Sequence, residues 1–312
     1  IFTAGGTEAN NIAIHGIMQQ FPEARIAVSN VEHDSVLLPA QRYNCDLIVA
    51  AADGTISPGA VEQAITDETV LVSVQYANNE IGTIQPLKDI AQLLGKIREE
   101  RRNSGNELPL YFHTDACQTP AYLDIHVSRL GVDLMTINGS KLYGPKQIGC
   151  LFVKSGIVLE PLLQGGGQER GLRSGTENVP AIIGFAAALK LAQDNRQEET
   201  KRLTSLQTHF ANSILELPGV SINGSRKHRL ANNLHITIAD KDNETLMMQL
   251  DDMGVQCAVG SACSASSDEP SHVLTAIGLS DSEAQSSLRF SMGKSTTADD
   301  IDYVVTCLQQ LV

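Results

Sequence analysis

The strongest constraint on the fold is the alternation of short apolar segments with segments of helical periodicity through the first third of the chain. Segments such as Val70 to Tyr76 are apolar at most successive positions, which is typical of strands buried on both faces of a parallel sheet. Such an order predicts an α/β fold in which helices cover a largely parallel sheet. The predicted elements are a strand at 1–4, a helix from Thr7, a strand at 25–30, a helix at 37–42, a strand at 46–51, a helix at 57–66, a strand at 70–76, a helix at 87–102 and a strand at 108–114.

The length of the chain predicts two folding units. Its 312 residues exceed the roughly 250–300 residues at which single hydrophobic cores stop growing. We predict a large domain at 1–195 and a small C-terminal domain at 196–312, joined by a long helical region from Glu177 to about Leu217. Strands near His235 and Leu288 make the smaller domain α+β. Because the chain starts without methionine, with a strand that runs directly into a helix, we expect an N-terminal truncation of the large domain.

The charge and composition exclude several classes of function. The chain has 36 acidic and 23 basic residues and a net charge of −13, which argues against tight binding to nucleic-acid phosphates. No apolar run approaches the ~20 residues that a membrane span requires. The six cysteines lack the spacing of metal ligands. These features predict a soluble, cytoplasmic protein with reduced thiols and no direct contact with membrane or nucleic acid.

Lys141 is the first candidate for chemistry. It follows the apolar run Asp133 to Ile137 in the glycine-containing segment Asn138 to Gly149. A free lysine amine has a pKa of about 10.4, so imine formation requires a partly desolvated site or a nearby cation. A solvated surface lysine is the simpler interpretation of this motif alone. Lys141 becomes a Schiff-base candidate only if the chain also carries the other residues that a pyridoxal phosphate site requires.

A phosphate site is predicted at the start of the first helix. The segment Ala4 to Asn10 places two glycines and a threonine where free backbone N–H groups and the helix dipole attract an anion. Gly6, Thr7 and Glu8 are the candidates for this cradle. Alternatively, Thr7 caps the helix.

Asp115 is the candidate partner of the pyridine nitrogen, which must stay protonated if the ring is to act as an electron sink. It ends the predicted strand that contains Leu110 to Thr114, where a carboxylate needs strong donors or a cation. An ordinary helix cap is the alternative. Gln118 and Asn79 are placed to hydrogen-bond the phenolic oxygen, and His33 is placed to stack on the ring or to move a proton.

Seven separated motifs together resemble, in order, the class V aminotransferase-like cysteine desulfurases over essentially the whole chain. The resemblance implies a homodimeric enzyme that depends on pyridoxal 5'-phosphate (PLP) and has fold type I. That fold is a mostly parallel seven-stranded sheet with helices on both faces plus a smaller α+β C-terminal lobe. The motifs are Gly6-Thr-Glu-Ala-Asn-Asn11, Val31-Glu-His33, Asn78-Asn-Glu-Ile-Gly82, His113-Thr-Asp-Ala-Cys-Gln118, Lys141-Leu-Tyr-Gly-Pro-Lys146, Gly165-Gly-Gly-Gln-Glu-Arg-Gly-Leu-Arg-Ser-Gly-Thr176 and Gly260-Ser-Ala-Cys-Ser264.

The resemblance also implies a role for each matched residue. Lys141 forms the Schiff base and Arg289 holds the substrate carboxylate, a task that suits a bidentate guanidinium. The coenzyme site comprises Gly6, Thr7, His33, Asn79, Asp115, Gln118, Asn138, Ser140 and Thr176, of which His33 is also catalytic, Asn79 also contacts substrate, and Thr176 comes from the second subunit.

Cys263 determines the reaction class. The segment Gly260 to Glu269 contains almost nothing that anchors it in a core, and about ten extended residues tethered at both ends allow a thiol to travel roughly 15 Å. The resemblance implies that Cys263 takes sulfur from L-cysteine as a persulfide, leaving L-alanine. The sulfur passes to an iron–sulfur scaffold protein or another acceptor, with tRNA thiolation as a further use. The chain alone holds no metal, although Cys263 could ligate a shared iron–sulfur cluster. Cys257 is the better candidate for a structural thiol.

Three departures from the family pattern and three alternatives remain. Asn138 and Ser140 stand where the family commonly has serine and histidine, the opening Ala-Ala-Thr-Thr-Pro signature is absent, and the segment after Val312 is short. A selenocysteine lyase or another class V aminotransferase would keep Lys141 and Asp115. A protein that has lost the coenzyme and only binds assembly partners is the third alternative.

His113 and Asp115 alternate as metal ligands can, but no third ligand is evident, so zinc is not predicted.

Overall fold

The computed structural model describes residues 1–260 and 270–312 and contains two compact units. The first unit comprises 1–50, 56–77 and 85–196, and the second comprises 51–55, 78–84 and 197–312. These units are defined by contacts within the chain. The division into a large domain at 1–195 and a small domain at 196–312 remains a prediction. Cys263 lies outside the described residues.

A seven-stranded sheet forms the centre of the first unit, in the order β1-β7-β6-β5-β4-β2-β3. Strand β7 is antiparallel to both of its neighbours, β1 and β6, and the other neighbouring pairs of this sheet are parallel. The prediction of a mostly parallel, helix-covered sheet is confirmed. The strands are β1 (Phe2–Thr3), β2 (Arg25–Ser29), β3 (Asn44–Ile48), β4 (Thr69–Ser73), β5 (Tyr111–Asp115), β6 (Leu134–Asn138) and β7 (Gly149–Val153).

The helices of this unit are α1 (Gly6–Met18), α2 (Asp34–Ala40), α3 (Pro58–Ala64), α4 (Leu87–Ser104), α5 (Val127–Leu130) and α6 (Val179–Ile214), the last of which continues into the second unit. Helix α1 belongs to the main core, in which Ile12 and Ile17 are fully buried together with Val28, Leu71 and Leu134 of the sheet. Because it is buried on almost every side, this helix provides a rigid base for residues in its first turns.

Two predicted bounds were wrong for identifiable reasons. Helix α2 starts at Asp34 rather than Leu37, because His33 caps it by accepting the Ser35 N–H at 3.0 Å. Histidine is not a usual capping residue, so the sequence carries no recognisable start signal there. Strand β5 starts at Tyr111 rather than Leu108, and Pro109 has no N–H to donate to a neighbouring strand.

The second unit contains a three-stranded antiparallel sheet in the order β10-β9-β8. Its strands are β8 (Val220–Ile222), β9 (Asn233–Ile238) and β10 (Ser287–Ser291), and its further helices are α7 (Asn243–Asp252), α8 (His272–Ala276), α9 (Asp281–Ala284) and α10 (Ala298–Leu311). The predicted strands near His235 and Leu288 are therefore confirmed. None of the helices in the described parts of the chain has the length and apolar character needed to span a membrane.

Candidate functional site

Asp115 lies at the carboxyl end of β5, in the middle of the large sheet. Its Oδ2 accepts a hydrogen bond from Asn10 Nδ2 at 2.7 Å, and its Oδ1 accepts one from the Cys117 backbone N–H at 2.8 Å. Each oxygen of the side chain is thus held by a hydrogen bond. The structure therefore provides a fixed carboxylate at a sheet edge where α/β folds bind ligands.

Lys141 follows β6, the strand next to β5. Asn138 ends β6 and caps a 3₁₀ turn, Gly139–Leu142, by accepting hydrogen bonds from Ser140 N at 3.3 Å and Ser140 Oγ at 3.2 Å. This turn carries the lysine. The partial desolvation that we expected from the sequence is not observed, because Lys141 is exposed in the turn beyond the end of the strand.

The positive charge of Lys141 interacts electrostatically with the Cys117 thiol, and this thiol also lies beside Asp115. Burial and the Asp115 carboxylate raise the pKa of Cys117 well above its usual value, and Lys141 acts in the opposite direction. These three side chains are thus close enough to influence one another electrostatically. The structure brings the predicted Schiff-base lysine and the predicted pyridinium partner to the same edge of the sheet.

Helix α1 starts beside this carboxylate. A Cβ atom at Gly6 would lie 2.6 Å from Cys117 Sγ and 3.5 Å from Asn138 Cβ, so no larger residue fits there without a shift. The helix has Gly5 at its N-cap position and no side-chain cap, so the alternative in which Thr7 caps the helix is wrong. The free N–H groups of this first turn suit an anion.

Glu8 does not belong to that cradle through its side chain. One carboxylate oxygen accepts the Ala4 N–H at 2.5 Å, and the other pairs with Arg173 Nε at 2.7 Å. The ion pair offsets the negative charge of Glu8 within the first turn, which would otherwise oppose a phosphate. Thr7, by contrast, is exposed in the same turn.

His33 is connected to Asp115 through two intermediate side chains. Its Nδ1 lies 2.8 Å from Ser35 Oγ, and Ser35 Oγ accepts a hydrogen bond from Asn10 Nδ2 at 2.9 Å. The same Asn10 amide group donates to Asp115. Three segments that are distant in sequence therefore form one hydrogen-bonded chain.

Two buried titratable groups, Glu32 and His113, interact electrostatically with Asp115. Burial raises the pKa of Glu32 to about 8, an effect that Asp115 increases and that hydrogen bonds from Ser29 and the Gln75 N–H partly offset. His113 lies between Ser73 Oγ at 2.8 Å and Thr136 Oγ1 at 3.1 Å, and burial lowers its pKa to about 4. His113 is therefore a neutral core residue. The described residues contain no cluster of three metal-binding side chains.

Arg289 and Asn79, both predicted to contact substrate, lie together in the second unit. Arg289 is the central residue of β10 and pairs with His235 of β9, while its Nη1 donates to the Asn79 carbonyl at 3.1 Å. Burial, with the added effects of Arg229 and Arg289, lowers the pKa of His235 to about 3, so this neighbour stays neutral. The positive charge of Arg289 is thus anchored by a carbonyl oxygen.

Two further predicted site residues, Gln118 and Thr176, also belong to the first unit. Gln118 is half-buried directly after Cys117, and Thr176 lies in an exposed segment before α6. Both belong to the first unit, whereas Asn79 and Arg289 belong to the second. The role of each residue in binding stays a prediction.

Asn10, Ser35 and Cys117 were not identified as site residues from the sequence. Asn10 lies one helical turn after Thr7, and this spacing indicates that both lie near one face of α1. Ser35 follows His33 by two positions, which is a common spacing for a side chain near a helix start. These signals become specific only when Asp115 is known to lie beside them.

Residues 1–304 match the family described as aminotransferase class-V, and the chain belongs to this family. Among its relatives is a cysteine desulfurase IscS of Dictyoglomus turgidum, 38% identical over 320 residues that cover 100% of this chain and 78% of the relative. The IscS of Methanosarcina thermophila is 39% identical over 318 residues, covering 100% and 76%. The resemblance to cysteine desulfurases is therefore confirmed.

A solved structure described as a NifS-like protein agrees with this placement. It superposes with a TM-score of 0.88 at 28% sequence identity, over 100% of this chain and 81% of that one. Proteins of this family use PLP, and the residues present fit the coenzyme. A hydrogen-bonded carboxylate, an uncapped helix start at a glycine with no space for a side chain, and a lysine lie at one edge of the sheet. The fold and cofactor predictions are confirmed.

Proposed function

We propose that the chain is a cysteine desulfurase that converts L-cysteine to L-alanine and leaves the sulfur as a persulfide on Cys263. The observation that carries the proposal is the Asp115 carboxylate, held by Asn10 and the Cys117 N–H at the edge of the sheet from which the Lys141 turn projects. The similarity to cysteine desulfurases over the whole chain supports the choice of substrate.

PLP would be held by Lys141, by Asp115 at its ring nitrogen, and by the first turn of α1 at its phosphate. When bound, it supplies an electron sink for carbanion chemistry at the substrate α-carbon. The Asp115 carboxylate favours a protonated ring nitrogen because an opposite charge stabilises the charged form. Asn138 and Ser140 differ from the residues common in the family. They hydrogen-bond to each other and so stabilise the turn that carries Lys141.

The chain's own groups then bind the substrate and move protons. Arg289 pairs with the cysteine carboxylate, and its fixed position on β10 orients the substrate. The Lys141 amine removes the proton from the α-carbon and later returns it. His33 supplies a second proton-carrying group in the same unit as Lys141.

Cys263 completes the reaction by nucleophilic attack. Its thiolate sulfur forms a bond to the substrate sulfur, the bond between that sulfur and the substrate Cβ breaks, and the electron pair of the broken bond is protonated so that alanine leaves. We further propose that the persulfide supplies iron–sulfur cluster assembly and tRNA thiolation through an acceptor protein. The working form is a cytoplasmic homodimer to whose partner site Thr176 contributes.

The test is to incubate the full-length protein with PLP and L-cysteine and to quantify alanine and protein persulfide together. Equal amounts in a single turnover are expected without a reductant. The Cys263→Ser variant should lose the persulfide while retaining the absorbance of bound coenzyme, whereas the half-buried control Cys257→Ser should retain both. Sulfur release that persists in Cys263→Ser would contradict the assignment of the nucleophile. Alanine formation that requires a keto acid would identify an aminotransferase instead.

A further inference from the structure

Glu8, in the first turn of α1, forms an ion pair with Arg173, which lies 165 positions later in the chain. Glu8 Oε1 accepts from Arg173 Nε at 2.7 Å, and Glu8 Oε2 accepts from Arg173 Nη2 at 3.5 Å. The hydrogen bond to Glu8 raises the pKa of Arg173, and the charges of Glu8 and Glu169 add smaller contributions, so the guanidinium stays charged. The exposed fractions of the two side chains are only 24% for Arg173 and 16% for Glu8, so salt screens this pair less than a surface pair.

The same Glu8 carboxylate lies at the positive end of α1. Its Oε2 accepts the Ala4 N–H at 2.5 Å, and the helix begins two residues later at Gly6. Phosphate and carboxylate groups are both attracted by the free N–H groups of a helix start, and they repel each other there. A Glu8 without its ion pair would therefore weaken the binding of a phosphate at this turn, where no side chain caps the helix.

Arg173 is held in place by the main chain of its own segment. It forms a parallel bridge with Leu163, and the Ser174 N–H donates to the Leu163 carbonyl at 3.2 Å. The Gly175 N–H donates to Gln168 Oε1 at 3.0 Å. The segment thus folds back on itself and fixes the position from which the guanidinium contacts α1.

We infer that Arg173 is a positioning residue for the coenzyme phosphate, and that it acts by neutralising Glu8 so that the first turn of α1 keeps its attraction for an anion. The inference rests on the proposed function, in which the phosphate binds at this turn. The simpler alternative is that Arg173 only fixes its own segment to α1. The two roles differ in one respect: neutralisation is unnecessary once Glu8 has no charge, whereas a fixing role is not replaced by removing that charge.

The test compares the affinities of the coenzyme-free full chain for PLP and for pyridoxal, which has the same ring and aldehyde but no phosphate. Both affinities are measured by titration of the absorbance of the bound ring. Arg173→Gln, in which the side chain is uncharged, should weaken PLP binding roughly 10-fold, because the Glu8 carboxylate then opposes the phosphate at short range. Its affinity for pyridoxal should stay at the wild-type value.

A substitution at Glu8 separates the two roles. Glu8→Gln alone should bind PLP at least as tightly as the wild type. The double variant Arg173→Gln/Glu8→Gln should return to within about threefold of the wild-type affinity, because the two effects are coupled through one ion pair. If Arg173 only fixed its segment, the double variant would bind PLP as weakly as Arg173→Gln.

The matched control is Arg25→Gln, which breaks a two-pronged ion pair with Asp46 elsewhere in the first unit. Its affinities for PLP and pyridoxal should both equal those of the wild type.

The inference would be overturned by wild-type PLP affinity in Arg173→Gln, by an equal loss of affinity for PLP and pyridoxal, or by a double variant as weak as Arg173→Gln. If Arg173→Gln does not fold, Glu8→Gln decides, because PLP binding weaker than in the wild type would also overturn the inference. Failure of the proposed function is distinguishable, because it appears as missing alanine and persulfide in the wild type whatever the affinities of the variants.

Discussion

The main chains of Ala258 and Arg289 are joined by two hydrogen bonds, from Arg289 N to Ala258 O at 2.7 Å and from Ala258 N to Arg289 O at 3.0 Å. In the adjacent strand, Arg289 pairs with His235. The residue predicted to hold the substrate carboxylate is therefore fixed by the same contact that anchors the chain five positions before Cys263. The main chain at Ala258, shortly before the predicted nucleophile, is thus attached to the predicted substrate-binding residue.

Replacing Arg289 by lysine should weaken substrate binding while leaving coenzyme binding intact. Lysine keeps the charge but loses the two-pronged hydrogen bonding to a carboxylate, which corresponds to a rise in KM of roughly 10- to 100-fold. Steady-state alanine release as a function of cysteine concentration measures the effect. The exposed control Arg226→Lys should keep the wild-type KM. A fall in kcat with unchanged KM would show that Arg289 acts elsewhere in the reaction.

Replacing Asp115 by asparagine should reduce alanine formation roughly 100- to 1,000-fold, as expected when a preorganised electrostatic partner is removed. The asparagine side chain has the same size but one acceptor oxygen instead of two, so one of the two hydrogen bonds from Asn10 and the Cys117 N–H is lost and the thermal midpoint should fall modestly. The measurement is single-turnover alanine release together with the coenzyme spectrum. Asp46→Asn, which removes a partly exposed partner of Arg25 from the same sheet, is the control and should retain activity. Near-normal activity in Asp115→Asn would refute its role at the ring nitrogen.

Replacing Gly149 by alanine should destabilise the first unit by about 1–3 kcal/mol. An added Cβ would lie 2.8 Å from the Gly5 carbonyl carbon and 2.8 Å from the Ile137 oxygen, both of which are backbone atoms that cannot move separately from their elements. The control is Gly95→Ala in α4, where nothing lies within 4 Å of the added atom. That change should stabilise the helix by up to about 1 kcal/mol. Denaturant unfolding measures the free energy of unfolding of both variants. Equal changes in the two variants would contradict the close approach at Gly149.

Replacing Glu32 by glutamine should flatten the pH dependence of stability between pH 5 and 8. The folded-state pKa of Glu32 is about 8 and the ordinary value is 4.5, so in this range the folded chain holds a proton that the unfolded chain has released. The contribution of Glu32 is therefore complete below pH 4.5 and decreases, as the pH rises, by about 1 kcal/mol per unit. Glutamine carries no titrating proton.

Urea unfolding of the wild type and Glu32→Gln at pH 5, 6, 7 and 8 measures this difference. The exposed control Glu23→Gln should follow the wild type. Parallel curves for wild type and Glu32→Gln would show that Glu32 does not titrate in this range.

The sequence was most informative where periodicity and chain order determine structure. The buried strands, the position of Asp115 at a strand end and the lysine after the next strand follow from apolar patterning and from the way parallel strands align. Contacts between specific side chains could not be predicted in this way. The bond from Asn10 to Asp115 joins residues 105 positions apart, and its existence depends on how α1 packs on the sheet. The membership of 78–84 in the second unit likewise depends on tertiary contacts such as that of Asn233 Nδ2 with the Glu80 carbonyl.

The Cys117 thiol beside Asp115 has a consequence for selectivity. Its raised pKa keeps it protonated at neutral pH, and a protonated thiol is a poor nucleophile toward aldehydes, alkylating reagents and other sulfur atoms. Cys117 can therefore lie next to the aldehyde of the coenzyme without forming a covalent adduct that would inactivate it. Burial, together with the negative charge of Asp115 that would sustain the ring nitrogen, thus also disfavours a reaction of Cys117 with the coenzyme.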